Sequence, residues 1–221
     1  MSRDDAASIE VFQDLTLFLG DCSPNEVRDA MADQAKAPWR HAPERELPNS
    51  QQSSPDFFAF EFDAQDGGPR IGLVLWKEPD QLRVTNVVPL EAGQLTISQY
   101  NHALQEFNTK IVSPVASRLG LQVVLTKDSE TLTDWMSPET ADLLRRFSSL
   151  ANRSTGSSHP SDRARWMAFL IASHHENSLV TDRLKRWLIE VEKWHPEIAV
   201  ELVIEYEFGL ELLRNFDQHQ G

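Results

Sequence analysis

Three short apolar runs lie close together in the first half of the chain. Phe57 to Asp63 and Arg70 to Lys77 flank Asp66-Gly67-Gly68-Pro69, and Leu82 to Val88 follows the turn Glu78-Pro79-Asp80. Connections this short permit antiparallel hairpins, whereas parallel strands need a crossover of a dozen or more residues. The runs therefore predict an antiparallel β-meander.

A helix and a fourth strand follow the meander. Thr96 or Ser98 can cap a helix that continues until Pro114 kinks or ends it. Leu121 to Thr126 has the composition of another strand. The order βββαβ predicts an α+β subdomain over residues 56–128, with four strands and helices packed together.

The chain before the meander divides into two parts. Apolar residues recur at helical spacing from about Ala6 to Leu19, and Ser23-Pro24-Asn25-Glu26 is typical of a helix start that would continue to Lys36. These signals predict an N-terminal helical hairpin over residues 1–36. Residues 37–55 contain four prolines and a Gln/Ser run, which predicts a linker or a long loop.

The second half has helical signals throughout. Helix-start residues occur at Ser137, Ser161 and Thr181, and a last helix is expected from Glu197 to Phe216. Since the loops between these helices are short, neighbouring helices should be antiparallel. Residues 129–221 are therefore predicted to form an antiparallel helical bundle subdomain.

The charge of the chain restricts its partners. The net charge is −13, and residues 1–68 hold fourteen acidic against five basic residues. Nucleic acids and anionic membrane surfaces require clustered Lys and Arg, so we expect neither as a partner. A lone cysteine, Cys22, and the lack of an apolar stretch near 20 residues indicate a cytoplasmic protein.

Motifs of the common enzyme classes do not occur in the sequence. It has no Gly-x-Ser-x-Gly, no phosphate-loop signature and no dinucleotide-binding glycine pattern. Glu192 and His195 have a Glu-x-x-His spacing, but a two-metal bundle needs a second copy. We therefore predict no metal site and no cofactor, and we expect a binding role before an enzymatic one.

The last predicted helix carries a stripe of like charges. Glu197, Glu201 and Glu205 follow one another at four-residue spacing, so they share one side of the helix and repel each other. A basic partner would relieve that repulsion, whereas the alternative is a solvated face. The leading hypothesis is an acidic cytosolic protein-binding module of the antitoxin, immunity or adaptor type, with a basic protein partner.

A second candidate site lies between two predicted helices. The loop from Arg153 to Pro160 combines hydroxyl groups, glycine and histidine before a helix N-terminus, an arrangement that can bind anions. The competing hypothesis is an enzyme or sensor that binds a phosphate- or carboxylate-bearing ligand through Arg153, Ser158, His159 and Arg163. A flexible linker with a capping serine is the alternative for this segment.

Overall fold

The computed structural model describes residues 7–46, 56–63, 68–176 and 179–220. The chain divides into two compact units. The sheet unit comprises residues 10–128, and the helical unit comprises residues 129–221 with the first nine residues. The α+β fold class predicted from the sequence is confirmed.

In the described residues, six antiparallel strands form the sheet of the sheet unit, and two further short strands, one of them in the helical unit, pair with each other. Numbered along the chain, the strands are β1 (Ile9–Glu10), β2 (Leu15–Phe18), β3 (Trp39–His41), β4 (Phe57–Phe62), β5 (Ile71–Lys77), β6 (Gln81–Pro89), β7 (Gln122–Leu125) and β8 (Ser129–Glu130). β1 pairs with β8, and the others form a six-stranded sheet in the order β3-β4-β5-β6-β2-β7. The predicted meander is present as β4, β5 and β6, and β7 is the predicted fourth strand. The four-strand sheet is not exact, because β2 and β3 from earlier in the chain also join it.

The helix predicted from about Ala6 to Leu19 is also wrong. The described residues of this segment form β1 and β2, and β2 lies inside the sheet between β6 and β7. Leu15, Leu17 and Leu19 are buried at alternate positions, which is the period of a strand. Within described residues 7–36, the predicted hairpin therefore contains only its second helix, Pro24–Gln34.

The helices of the sheet unit begin at the expected caps. They are α1 (Pro24–Gln34), α2 (Ile97–Phe107) and α3 (Ser113–Leu119). Ser23 accepts a hydrogen bond from the backbone N–H of Glu26, and Thr96 and Gln99 form a reciprocal capping box. Pro114 does not end the helical segment. It lies in the first turn of α3, and a π-helical turn connects α2 to α3.

The predicted linker over residues 37–55 contains regular structure. Its first part forms the edge strand β3, followed by one 3₁₀ turn at Pro43–Arg45. Trp39 on β3 is buried, and its ring lies 5.0 Å from the rings of Phe62 and Phe107. The linker prediction is therefore wrong for this part, and residues 47–55 lie outside the described residues.

A buried carboxylate lies beside the edge of the sheet. Glu61 on β4 is 3% exposed at its side chain, with Arg40 Nη2 at 2.5 Å, Arg70 Nη2 at 3.5 Å and Arg45 Nε also bound. Burial alone would raise the pKa of Glu61, but the hydrogen bonds from Arg45 and Arg40 outweigh it and lower that pKa. The ionised carboxylate thus joins β3, β4 and the 3₁₀ turn.

The helical unit contains four α-helices in its described part. They are α4 (Pro138–Leu150), α5 (Pro160–His174), α6 (Thr181–Glu190) and α7 (Pro196–Gln220). Ser137 caps α4 as expected, whereas the N-cap of α5 is His159 instead of Ser161. The tilted rings of Phe147 and Trp166, whose centroids are 4.9 Å apart, connect α4 to α5.

Candidate functional site

The last helix, α7, buries one side of its surface. Ala199, Leu202, Tyr206 and Leu210 recur every three or four residues and are at most 3% exposed. This side packs on α5 and α6. Although α7 is 25 residues long, no helix in the described part of the chain is apolar enough over a sufficient length to cross a membrane.

A second apolar surface of α7 faces the solvent. It consists of large hydrophobic residues four positions apart, each between 37% and 67% exposed: Val200, Ile204, Phe208, Leu212 and Phe216. We call these residues the exposed apolar row. Monomeric proteins seldom expose a continuous apolar surface, and such surfaces commonly mark interaction sites. The spacing of the glutamate stripe is evident in the sequence, but the exposure of this row is not.

Glutamates border the exposed apolar row on both sides. Residues three positions apart are neighbours on the surface of a helix. Glu201, three residues before Ile204, and Glu207, three residues after it, therefore both lie next to Ile204. In the same way, Glu205 precedes and Glu211 follows Phe208. Glu201, Glu207 and Glu211 are exposed. We call these four glutamates the acidic rims.

The three glutamates of the predicted stripe have different surroundings. Glu197 is 87% exposed at its side chain, and Glu201 is also exposed. Glu205 is half-buried, because Ser157 Oγ donates a 2.6 Å hydrogen bond to its Oε2 and Arg163 Nη2 lies 3.8 Å from its Oε1. Glu205 therefore also connects α7 to α5 and to the loop before it.

A groove runs beside the row between α5 and α7. It has a volume of about 420 Å³, and the residues that line it are Arg163, Met167, Leu170, Ile171, Glu205, Phe208, Gly209, Leu212 and Leu213. On the α5 side, Met167 is 42% and Ile171 is 54% exposed. The groove thus extends the exposed apolar row onto a second helix of the same unit.

Three residues of the second candidate site already contact other groups of the chain. The Arg153 guanidinium lies 5.6 Å from the centre of the Trp194 ring, and Nδ1 of His159 accepts a hydrogen bond from the backbone of its own helix start. Arg163 is close to Glu205, and Ser158 is exposed. Arg153 and Arg163 line two different cavities.

The possible metal ligands make separate contacts. Glu192 Oε1 accepts a 3.2 Å hydrogen bond from the indole of Trp187, whereas His195 Nδ1 lies 4.0 Å from Glu197 Oε2. Within the described residues, no three His, Cys, Asp or Glu side chains are arranged to hold a metal ion.

Comparisons of this chain with protein-family models, with curated proteins and with solved structures found no match. The assignment of a function therefore depends on the geometry of the surfaces described above.

Proposed function

We propose that this chain is an acidic protein-binding module of the cytoplasm, of the antitoxin, immunity or adaptor type, and that α7 binds a basic protein partner. The observation that carries the proposal is the exposed apolar row with its acidic rims. An interface needs apolar contact area at its centre and complementary polar groups around it. The exposed apolar row supplies the first, and the acidic rims supply the second.

The net charge of −13 supports the same proposal. A strongly acidic protein attracts basic partners over a distance of about 10 Å at moderate salt and repels acidic ones. The rims select partners by the sign of their charge, whereas the row provides most of the affinity. Together they favour a partner whose binding surface is apolar at its centre and basic at its edges.

A capture experiment tests this function. The tagged chain is mixed with a lysate of the source organism at low and moderate salt, and the bound proteins are identified by mass spectrometry. The comparison is with a variant carrying Glu201→Lys, Glu207→Lys and Glu211→Lys. Glu205 stays unchanged, because its substitution would also remove the hydrogen bond from Ser157.

A matched variant controls for the change in net charge. Asp21, Asp33 and Glu91 are exposed acidic residues of the sheet unit, and their triple substitution by lysine changes the net charge equally. We expect a basic protein that the parent and this control retain and the α7 variant loses. Equal retention by both variants would contradict the proposal.

A second candidate function is binding of an anionic ligand by an enzyme or sensor. Its support is a groove of about 590 Å³ in which Arg153, Lys193 and His195 lie together. The test is thermal unfolding with inorganic phosphate, for the parent chain and for a variant with Arg153→Ala and His195→Ala, both of which line this groove. A phosphate-dependent rise in melting temperature that the variant loses would favour this function over protein binding.

A further inference from the structure

The shape of the α7 surface restricts which part of a partner can bind there. The exposed apolar row extends from Val200 to Phe216, which corresponds to about 24 Å along a helix. Met167 and Ile171 of α5 form the opposite wall of the groove, with Leu170 and Gly209 at its base. Because residues four apart advance by about 40° around the helix axis, the row turns around α7, and its part beside the groove extends from Glu205 to Leu213, about 12 Å.

The secondary structure of the occupant follows from the hydrogen bonding of the groove. Its walls are two α-helices, whose backbone N–H and C=O groups are paired within each helix. An extended peptide that adds to a sheet edge needs free backbone groups, and this groove has none to offer along its length. A helix, in contrast, binds a groove through side chains spaced three or four residues apart.

The charge of the occupant follows from the acidic rims. Glu201 and Glu205 border one side of the row, and Glu207 and Glu211 border the other. Glu205 is already bound by Ser157 and lies 3.8 Å from Arg163. A helix along the row would place its flanking residues against the exposed carboxylates of Glu201, Glu207 and Glu211, so lysine and arginine fit there. A second copy of this chain would bring the same glutamates against one another, which is unfavourable.

We propose that the occupant of the groove between α5 and α7 is a basic amphipathic helix of the partner protein, with its apolar side on the exposed apolar row. This inference rests on the proposed function and specifies the partner's binding element. About three turns of the partner helix contact the groove, to match its length along α7. Its apolar residues contact Phe208 and Leu212, while its basic residues pair with the acidic rims.

A synthetic peptide tests the inference without knowledge of the natural partner. The probe is a fluorescent 18-residue peptide. Its leucines are spaced three and four residues apart so that they form one side of a helix, and lysine occupies all other positions. Its control has the same composition in a scrambled order that removes the apolar side. Fluorescence anisotropy at moderate salt gives both affinities, and we expect the amphipathic peptide to bind the full chain at least tenfold more tightly.

Substitutions identify where the peptide binds. A variant with Phe208→Ser and Leu212→Ser should lose at least tenfold in affinity while its melting temperature stays close to that of the parent. Met167→Ser on the other wall provides a second variant with the same expected direction. Leu150→Ser is the control, because Leu150 is 55% exposed on α4 and lies outside the groove lining. Equal binding of both peptides, or no effect of the groove substitutions, would overturn the inference.

Two further results separate this inference from the proposed function. A captured natural partner that is lost on reversal of Glu201, Glu207 and Glu211 but retained by Phe208→Ser, Leu212→Ser would support a basic partner at the acidic rims, but it would overturn the amphipathic helix and the affinity assigned to the row. Sedimentation over a range of concentrations tests a second copy as occupant. A dimer that Phe208→Ser, Leu212→Ser dissociates would identify the occupant as this chain itself and overturn the inference.

Discussion

Gly209 of α7 lies directly against Leu170 of α5, so that a Cβ atom at position 209 would be only 2.9 Å from Leu170 Cδ1. Leu170 is 3% exposed and cannot move away without disturbing its neighbours. The missing side chain therefore allows the two helices to approach each other at the base of the groove.

We expect Gly209→Ala to lower the free energy of unfolding by about 1 kcal/mol. Overpacking against Leu170 costs roughly 1–3 kcal/mol, and alanine's better helix propensity offsets about 1 kcal/mol of it. Asn215→Ala, at an exposed position of the same helix, is the control that gains propensity without a clash. Urea unfolding measures both, and a more stable Gly209→Ala would contradict the close approach.

Two neighbouring positions of α7 test which apolar row is buried. Phe208 is 67% exposed, whereas Leu210 is 3% exposed. We expect Phe208→Ser to change the free energy of unfolding by less than about 0.5 kcal/mol. Leu210→Ala should cost about 2–5 kcal/mol, because it leaves a cavity in the core. Similar losses for both variants in denaturant unfolding would show that the row is part of the core.

Glu61 makes the stability of the sheet unit dependent on pH. Its pKa is lowered in the folded state, so its contribution is present above the unfolded pKa, near 4.5, and is lost as the pH falls through the folded value. We expect Glu61→Gln to cost about 1–3 kcal/mol at pH 7, since the charged hydrogen bonds with three arginines are lost. The difference from the parent should shrink below about pH 4.5. Urea unfolding from pH 3 to 7 measures the difference in the free energy of unfolding between the parent and Glu61→Gln. Glu91→Gln is the exposed control. A difference that stays constant across that range would be inconsistent with an ionised Glu61.

Glu176 connects the end of α5 to the start of α4. Its carboxylate accepts hydrogen bonds from Ser137 N at 3.0 Å, Ser137 Oγ at 2.5 Å and Thr140 Oγ1 at 2.6 Å. Partial burial opposes ionisation, but these hydrogen bonds lower the pKa of Glu176. We expect Glu176→Ala to reduce stability at pH 7 by about 1–2 kcal/mol, as loss of a helix cap does.

Glu139→Ala is the control for the Glu176 substitution, because it removes an exposed carboxylate from the first turn of α4 without these hydrogen bonds. The parent should lose the contribution of Glu176 as the pH falls below about 4.5, and Glu176→Ala should show a correspondingly weaker loss. Equal effects of the two substitutions on thermal unfolding at pH 7 would contradict the capping role.

The sequence predicted structure well where local signals decide it. Ser23, Thr96 and Ser137 cap helices through hydrogen bonds to residues three positions away, which can be recognised from sequence alone. The helix predicted from about Ala6 to Leu19 is wrong, because the apolar residues of this segment also fit helical spacing. What makes it a strand is pairing of Thr16 with Arg83 and Val124, which are distant in sequence.

The candidate surface could be predicted only in part. The spacing of Glu197, Glu201 and Glu205 indicates their common side of the helix, but not that Ser157, distant in sequence, binds Glu205. Ile204 and Phe208 have the same four-residue spacing as Leu202 and Tyr206. Only the packing of α5 and α6 determines which of these two rows is buried. A helix with two apolar rows was nevertheless a signal of a second contact surface.

Site-specific photo-crosslinking tests the central claim most directly. The photoreactive residue p-benzoylphenylalanine replaces Phe208 in one variant and Leu150 in another, and each is expressed in the source organism and irradiated. We expect a basic protein to crosslink at position 208 and not at position 150. The absence of an adduct at position 208, or the same adducts at both positions, would contradict the assignment of α7 as the partner-binding surface.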